Sequence, residues 1–374
     1  MPGPGKRYAL LWISAVFVLV LSVALLNRIV DPYGVWGGPY RSGINAIKPE
    51  QFKLASLFKA AAVMRNRPRQ IVLGSSRAEI GIDPRDIGDH AYNLSVAGGH
   101  LPSIRAVFDH ALDNQPQLER VVLGLDFFMF DRNLAAAEGF EPDRLMRRRI
   151  GLVDRARTLL STDALLASIR TLAVNVSGAA VDNDYDELGM QTFAERRKRL
   201  THTPLPQWFE RSLAIYRRRF ADFAYDPELF TELDHIISAC RAHNVRLDLF
   251  ISPTHALHQQ AIHNAGLWPV YEDWKRRLAR RAAVWDFSGF NTITTEPVGV
   301  VMQNYWDVSH YRASIGRRVL ARMQGDADDG FGRRLDPSAT ESALAAVRDE
   351  RSRWVESNPG WTRWFASAAG TPAD

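Results

Sequence analysis

Two short blocks, far apart in the chain, carry residue types that together could perform nucleophilic catalysis. The first is 71–77, an apolar run that ends in Gly-Ser-Ser-Arg, and the second is Asp-Val-Ser-His at 307–310. A buried strand that runs into Gly-Ser-Ser sets a hydroxyl on a tight turn, where main-chain N–H groups can hold an oxyanion. A serine needs a base to attack a carbonyl, and the spacing of Asp307 and His310 lets a carboxylate orient an imidazole.

Each block also has a plainer structural explanation. Gly-Ser-Ser fits a strand-to-helix turn with a capping serine, and Asp-x-x-His fits a capping turn with a surface histidine. The two blocks gain weight together, because one follows the first clear strand and the other precedes a late helix. Their order along the chain therefore favours a Ser-His-Asp triad.

The elements that must position these blocks are visible as apolar runs that alternate with stretches of helical periodicity. Strands are predicted at 70–73, 91–94, 120–125, 245–251 and 283–287, and helices at 52–64, 102–112, 227–243, 268–281 and 313–323. This alternation predicts an α/β fold with a parallel sheet flanked by helices on both faces. Ligands bind beyond the carboxyl ends of such strands. Distinctive polar residues follow those ends: Ser75, Ser76, Asn93, Ser95, Asp126 and His255.

The N-terminal segment indicates a membrane anchor. No charged residue interrupts Tyr8 to Leu26, which is close to the roughly 20 residues that a spanning helix needs. Lys6 and Arg7 precede the segment and place the N-terminus in the cytoplasm by the positive-inside rule. The alternative is a cleaved signal peptide, because 22–24 reads Ser-Val-Ala. Under either interpretation the rest is exported, and we expect a single-pass inner-membrane protein with its catalytic domain in the periplasm.

Composition limits the remaining function classes. The chain has 374 residues and a net charge of +5 from 47 basic and 42 acidic residues. This bias suits a membrane or an anionic polymer, but it is too weak and dispersed to indicate nucleic-acid binding. A single cysteine, Cys240, excludes an intramolecular disulfide and fits an oxidising compartment. We expect an anchor at 1–28, a connector at 29–69, a catalytic domain at 70–325 with a basic helical insertion at about 135–220, and a helical tail at 326–374.

Three histidines raise the question of a metal site. His255 and His258 have the spacing to share a helix face, and His263 follows them. No carboxylate at a matching spacing completes a ligand set, so a solvated helix face is the simplest interpretation. His255 alone keeps a substrate-binding role, because it follows a strand end. The sequence implies no metal and no cofactor.

The order of the blocks resembles the SGNH/GDSL hydrolase superfamily, whose fold is a flavodoxin-like, three-layer α/β arrangement. The resemblance covers about 70–130 and 240–320. By this match Ser76 is the nucleophile, His310 is the base and Asp307 is the orienting acid. Ser75 is the fallback nucleophile if the Ser76 side chain points into the fold.

The other two blocks of that superfamily supply oxyanion donors, and this chain departs from both. Residues 93–98 look like the second block, with Ser95 at a position that is usually glycine and with Gly98 at the later one. The third block normally offers an asparagine, and Asp126 aligns with it. A carboxylate cannot donate unless it is protonated, so this substitution weakens the implied oxyanion hole.

Within the superfamily, an anchor together with Gly-Ser-Ser resembles the exported acyl-transfer proteins. Examples are the D-alanyl transfer protein of teichoic acid and the alginate O-acetyltransferases. The resemblance implies a membrane-bound O-acyltransferase as partner, a polysaccharide as acceptor, and an acyl group, with acetyl favoured, carried on Ser76. One alternative is a carbohydrate esterase that uses the same triad. Another is a catalytically silent glycan-binding or scaffold module, which the Asp126 substitution favours over a typical hydrolase.

Overall fold

The computed structural model describes residues 4–136, 140–145, 149–178, 183–192, 202–326 and 330–368. Part of the predicted basic insertion lies outside these residues, including 146–148 and 193–201. Residues 327–329, near the start of the predicted tail, also lie outside them. The α-helices, in chain order, are α1 (Pro4–Val30), α2 (Ala55–Asn66), α3 (Ser76–Gly81), α4 (Leu101–Asn114), α5 (Pro142–Leu145), α6 (Leu152–Leu159), α7 (Thr162–Ser177), α8 (Leu205–Ala221), α9 (Phe230–Ala242), α10 (Ala256–Asn264), α11 (Trp268–Arg281), α12 (Ala313–Gln324), α13 (Thr340–Ser357) and α14 (Pro359–Ala368). The strands are β1 (Gln70–Leu73), β2 (Ala91–Asn93), β3 (Arg120–Leu125), β4 (Arg246–Ile251), β5 (Val284–Asp286) and β6 (Arg333–Leu335).

The chain divides into two compact units. The first unit comprises Met1–Arg67, Asp109–Pro116 and Gly139–Glu187, and the second comprises Pro68–Phe108, Gln117–Glu138 and Leu188–Asp374. The second unit therefore contains the whole sheet and every residue of the predicted site.

The first unit is built around the end of α1. From Gly5 to Val30 this helix is long and apolar enough to cross a membrane. In its last turn Asn27 and Val30 are buried. The Asn27 side chain donates to the carbonyl of Leu159 and accepts from the Ser168 hydroxyl. The segment after α1 packs with α2 and α7 around a small core: Tyr33, Val35, Leu54, Leu57, Phe58, Ala61, Ala164, Ala167 and Tyr185.

The second unit is organised by one six-stranded sheet in the order β2-β1-β3-β4-β5-β6. The strands β1 to β5 are parallel, and β6 pairs antiparallel with β5. Central β3 is buried along its whole length, as expected for an apolar run covered on both faces. The predicted α/β class is confirmed. The edge strand β6 was not predicted, because three residues of Arg-Arg-Leu carry no strand pattern of their own.

Helices α3 and α12 approach each other so closely that glycine is required at the contact. A Cβ on Gly316 of α12 would lie 1.7 Å from the carbonyl oxygen of Gly81, at the end of α3. A Cβ on Gly81 would lie 2.0 Å from the ring of Tyr311. Since α3 begins at Ser76 and α12 follows His310, this contact fixes the distance between the two candidate blocks.

We expect Gly316→Ala to destabilise the protein by about 1–3 kcal/mol, because the new methyl group meets main-chain atoms that cannot move aside cheaply. Gly360→Ala is the matched control, since a Cβ there meets nothing within 4 Å and alanine favours a helix. Thermal unfolding of the full chain in detergent measures both. Equal midpoints for Gly316→Ala and the parent would contradict the required close approach.

Candidate active site

The nucleophile turn forms where β1 runs into α3. A Cβ at Gly74 would lie 2.8 Å from the Cβ of Ala78 and 3.0 Å from the carbonyl oxygen of Gly124, and Gly74 has a positive φ of 149°. Only glycine fits this crossing of β1 past β3. Ser75 is the N-cap of α3, and its side chain accepts a hydrogen bond from the N–H of Arg77. Ser76 is therefore the first helical residue.

Residues 305–311 form a tight turn, called the base loop because it carries the candidate base His310. The Asp307 side chain closes this turn. Asp307 Oδ1 accepts from the main-chain N–H groups of Ser309 and His310, at 2.8 and 2.9 Å. The N–H of Trp306 donates to the carbonyl of His310 at 2.9 Å, and Tyr305 and Tyr311 form a bridge across the loop. Four residues of sequence thus hold the carboxylate and the imidazole in one fixed arrangement.

The two blocks meet through a Ser-His-Asp chain of hydrogen bonds. The Ser76 hydroxyl lies 2.9 Å from Nε2 of His310, and Nδ1 of His310 lies 2.8 Å from Oδ2 of Asp307. With Nδ1–H donating to the carboxylate, Nε2 carries the lone pair that can accept the serine proton. Ser75 points elsewhere, because its buried hydroxyl donates to Asp126 at 2.5 Å. Of the two serines, the structure brings Ser76 to the histidine.

Arg77, directly after the candidate nucleophile, joins these elements from inside the protein. Its side chain is buried, and Nη1 donates to Asp126 at 2.7 Å. Nε donates to the Ser309 hydroxyl at 2.8 Å, and Nη2 donates to Nε2 of His258 at 2.9 Å. The Tyr216 hydroxyl also donates to Ser309, at 2.7 Å. One guanidinium thereby ties α3 to the end of β3, to the base loop and to α10.

The charge of Arg77 explains why Asp126 is an aspartate. Burial alone disfavours a charged guanidinium, but the attraction and hydrogen bonding of Asp126 and Tyr216 together outweigh it and raise the pKa of Arg77 above its ordinary value. Both Asp126 oxygens are occupied, one by Arg77 and one by Ser75. An asparagine here would leave a buried cation without a counter-charge. In this chain the third-block position holds an ion pair and offers no donor to an oxyanion.

The second block serves partly to position α3. The Asn93 amide donates to the carbonyls of Ala78 and Ile82, near the C-terminal end of α3, and its oxygen accepts from the N–H of Ser95. The Ser95 N–H is therefore engaged within the fold. Gly98 differs, because it has a positive φ of 64° and a Cβ there would meet nothing within 4 Å. Of the two candidate positions in this block, Gly98 is the one beside open space.

The three histidines are committed to separate partners. His255 caps α10, since its Nδ1 accepts from the N–H of Leu257 and its Nε2 donates to the carbonyl of Glu296. His258 accepts from Arg77, and His263 accepts from Arg351 at 3.0 Å. The expectation of a solvated face was wrong for the first two, because α10 is buried on nearly all sides. Both His255 ring nitrogens bond the main chain, which leaves neither for a substrate.

Burial keeps two of these imidazoles neutral. It lowers the pKa of His255 to about 4 and, together with the charge of Arg77, holds the pKa of His258 well below its ordinary range. Neutral His258 can therefore accept from the guanidinium. Within the described part of the chain, no group of three or more His, Cys, Asp or Glu side chains could hold a metal ion.

Sequence reasoning missed the residues that surround the triad. Arg77 was read only as the end of the Gly-Ser-Ser-Arg block, and no role was given to Ser309 or Tyr216. A signal existed for the first of these. Arg77 and Asp126 carry opposite charges just beyond the ends of two strands, and β1 and β3 prove to be neighbours. The involvement of Tyr216 had no such signal, because α8 is remote from the sheet in sequence.

No family model matches this chain, and no curated protein matches it. The functional argument therefore rests on the geometry of the site and on the order of the sequence blocks.

Breaking the ion pair should be costly. We expect Asp126→Asn to lower the free energy of unfolding by about 3–5 kcal/mol, because the buried guanidinium loses its counter-charge. Adding Arg77→Met to Asp126→Asn should recover part of that loss, because the stranded cation is removed. Arg132→Met is the control, since Arg132 pairs with Asp226 while about two thirds exposed and should change stability by less than about 1 kcal/mol. Urea unfolding of the parent, the two single variants and the double variant measures the coupling between Arg77 and Asp126. If the losses in unfolding free energy of the single variants simply add in the double variant, the two residues are not coupled.

The buried His255 should make stability fall in mild acid. In the unfolded chain it takes up a proton below about pH 6.5, whereas the folded form resists protonation until a pKa of about 4. The unfolded state binds more protons between these values, so the free energy of unfolding decreases as the pH falls from 6.5 to 4, by about 3 kcal/mol.

His255→Gln should reduce that pH dependence, and buried His258 should supply what remains of it. The variant also removes a helix cap and lowers stability at every pH. His243→Gln is the control, because His243 is exposed. Urea unfolding across this pH range measures both slopes. If the unfolding free energy of His255→Gln depends on pH as steeply as that of the parent, the lowered pKa of His255 is not the cause of the acid sensitivity.

Proposed function

We propose that this chain is a membrane-anchored acyltransferase that carries an acyl group, with acetyl favoured, on Ser76 and passes it to a polysaccharide hydroxyl. The observation that supports it best is the hydrogen-bond chain from Ser76 through His310 to Asp307, at 2.9 and 2.8 Å. These distances are those expected of a nucleophile, its base and an orienting acid. The order of the blocks, which resembles the SGNH superfamily, supports the same chemistry.

The proposed reaction has two half-steps. Ser76 Oγ attacks the carbonyl of an acyl donor while His310 Nε2 takes the serine proton, and the donor leaves as its protonated group with that proton from His310. A sugar hydroxyl then attacks the acyl-serine ester. His310 accepts the sugar proton and returns it to Ser76, which releases the acylated polysaccharide and restores the enzyme.

Two main-chain donors are the best candidates for holding the oxyanion. The first is the N–H of Ser76, which begins α3 and so falls among the N–H groups that a helix leaves unpaired. The second is the N–H of Gly98, on the loop whose Val96 N–H donates to the carbonyl of Gly74 at 2.9 Å. Asp126 and the N–H of Ser95 are engaged within the fold. Each donor missing from an oxyanion hole raises the activation free energy by about 2.7–4 kcal/mol. A well-positioned acceptor can offset that loss, so this site favours acyl transfer over fast hydrolysis.

Two further observations bear on the alternatives. In the sequence, Asp126 in place of the usual asparagine favoured a catalytically silent module. In the structure, Asp126 is the counter-charge of Arg77, which explains the substitution. It no longer argues against catalysis.

Half-buried Arg219 lies 5.2 Å from the ring of Phe128 and 5.9 Å from that of Tyr216, the two rings that Arg77 also faces. The partly exposed charge of Arg219 suits an acidic polysaccharide acceptor.

The proposed location is the inner membrane, with α1 as an uncleaved anchor and the catalytic unit in the periplasm beside a membrane-bound O-acyltransferase. The support is the length and apolar character of α1 and the burial of Asn27 and Val30 in its last turn. The sequence 22–24, the alternative cleavage site, lies inside this continuous helix. Cleavage there would leave the buried Asn27 only a few residues from a new, frayed chain end.

The central test compares acetyl release to water with acetyl appearance on the polysaccharide. Ser76→Ala should lower polymer acetylation on the order of 10⁴-fold, because no other group in the triad can carry the acyl ester. Ser342→Ala, on the exposed face of α13, is the matched control and should match the parent. Fast hydrolysis by the parent without transfer would reassign the protein as an esterase. Unchanged polymer acetylation in Ser76→Ala would leave only a binding or scaffold role.

A further inference from the structure

The first unit exposes a band of large apolar side chains outside α1. On α6 and the turn after it, Leu152, Val153 and Leu160 are exposed, the first two by 83% and 74%. On α7, Leu166 and Ile169 are half exposed and Val176 is exposed by 75%. Water-facing helices normally carry polar residues at such positions. These six residues are called the apolar band below.

The α7 part of the band follows the period of the helix. Leu166, Ile169, Ala173 and Val176 are spaced by three and four residues, so they form one stripe along the outer face. The inner face carries Ala164, Ala167, Ser168 and Thr171, which are buried. The outer stripe is thus more apolar than the inner one, which a helix in water would not favour.

The position of the band within the unit shows which surface could cover it. Helices α6 and α7 both pack against α1, and the Asn27 amide bonds the carbonyl of Leu159 where α6 ends. A spanning helix needs about 20 residues to cross the hydrocarbon. Counted from Tyr8, where the uncharged run begins, that length ends at Asn27. The α6–α7 turn therefore lies level with the point where α1 leaves the hydrocarbon.

Taken together, α6 and α7 are long and apolar enough for one broken span. However, they bend by 48° where they meet, and α7 alone has 16 residues, short of a full span. Helix α6 carries exposed Arg155 and Arg157 beside its apolar residues, and α7 carries exposed Arg170. Cations flanking an apolar stripe are the pattern of a helix that lies in the headgroup region of an anionic leaflet.

We propose that the apolar band inserts into the interfacial region of the phospholipid leaflet from which α1 emerges. The inference rests on the proposed anchoring by α1 and adds a second, in-plane contact to it. Apolar side chains enter the boundary of the acyl chains, while Arg155, Arg157 and Arg170 face the phosphates. An anchor with two contacts restrains the first unit against the bilayer, which a single flexible tether does not.

The experiment uses the full chain in vesicles of phosphatidylcholine and phosphatidylglycerol, with no other protein. Cys240 is buried, so single introduced cysteines can be labelled selectively with an environment-sensitive fluorophore. Leu166→Cys and Ile169→Cys report on the band. Asn66→Cys, exposed at the C-terminal end of α2 in the same unit, is the control, and Leu19→Cys reports on α1 itself.

At 166 and 169 we expect blue-shifted emission that spin-labelled lipid quenches and aqueous iodide does not. The control at 66 should show the reverse. Iodide quenching at 166 and 169 with lipid quenching at 19 would overturn the in-plane contact and leave the anchor standing. Shielding of the band from both quenchers would replace lipid by a second copy of the chain. A label at 19 that lipid does not quench would defeat the anchor and, with it, this inference.

Discussion

A buried ion pair between Arg77 and Asp126 sets the arrangement of the candidate site in the second unit. A guanidinium can be buried in a protein only if its donors and its charge are both satisfied, and this one reaches an aspartate, a serine hydroxyl and a neutral imidazole. Those partners come from the end of β3, the base loop and α10. Each of these elements must therefore sit within hydrogen-bond reach of the residue that follows Ser76. The geometry of the triad is a consequence of this requirement.

The same constraint connects local sequence to chemistry. Gly74 allows β1 to pass close to β3, Ser75 caps α3 and donates to Asp126, and Ser76 then faces His310. Gly316 allows α12 to pack against the end of α3, which fixes the other side of the site. The nucleophile is held by main-chain crossings on both sides, which agrees with catalysis by pre-positioned groups.

How far the sequence could predict this structure varies with the range of the interactions. Strands β1 and β3 and helix α11 were placed at their observed bounds, because continuous apolar runs and helical periodicity are local signals. The partners of the triad followed from chain order and family resemblance. Arg77, Tyr216 and His258 escaped prediction, because their roles depend on which elements become neighbours after folding. His255 was expected to bind substrate for its place after β4, yet its ring is occupied in capping α10.

The central claim is that Ser76 is an activated nucleophile, and covalent labelling tests it most directly. The full chain in detergent is treated with a fluorophosphonate, which reacts with serines activated by a base, and the modified peptide is identified by mass spectrometry. The account predicts one phosphonylated site, Ser76, with labelling lost in Ser76→Ala and strongly slowed in His310→Gln. Ser75, buried against Asp126, should remain unmodified. A folded parent that leaves Ser76 unlabelled, or labelling that survives His310→Gln at the parent rate, would contradict the account.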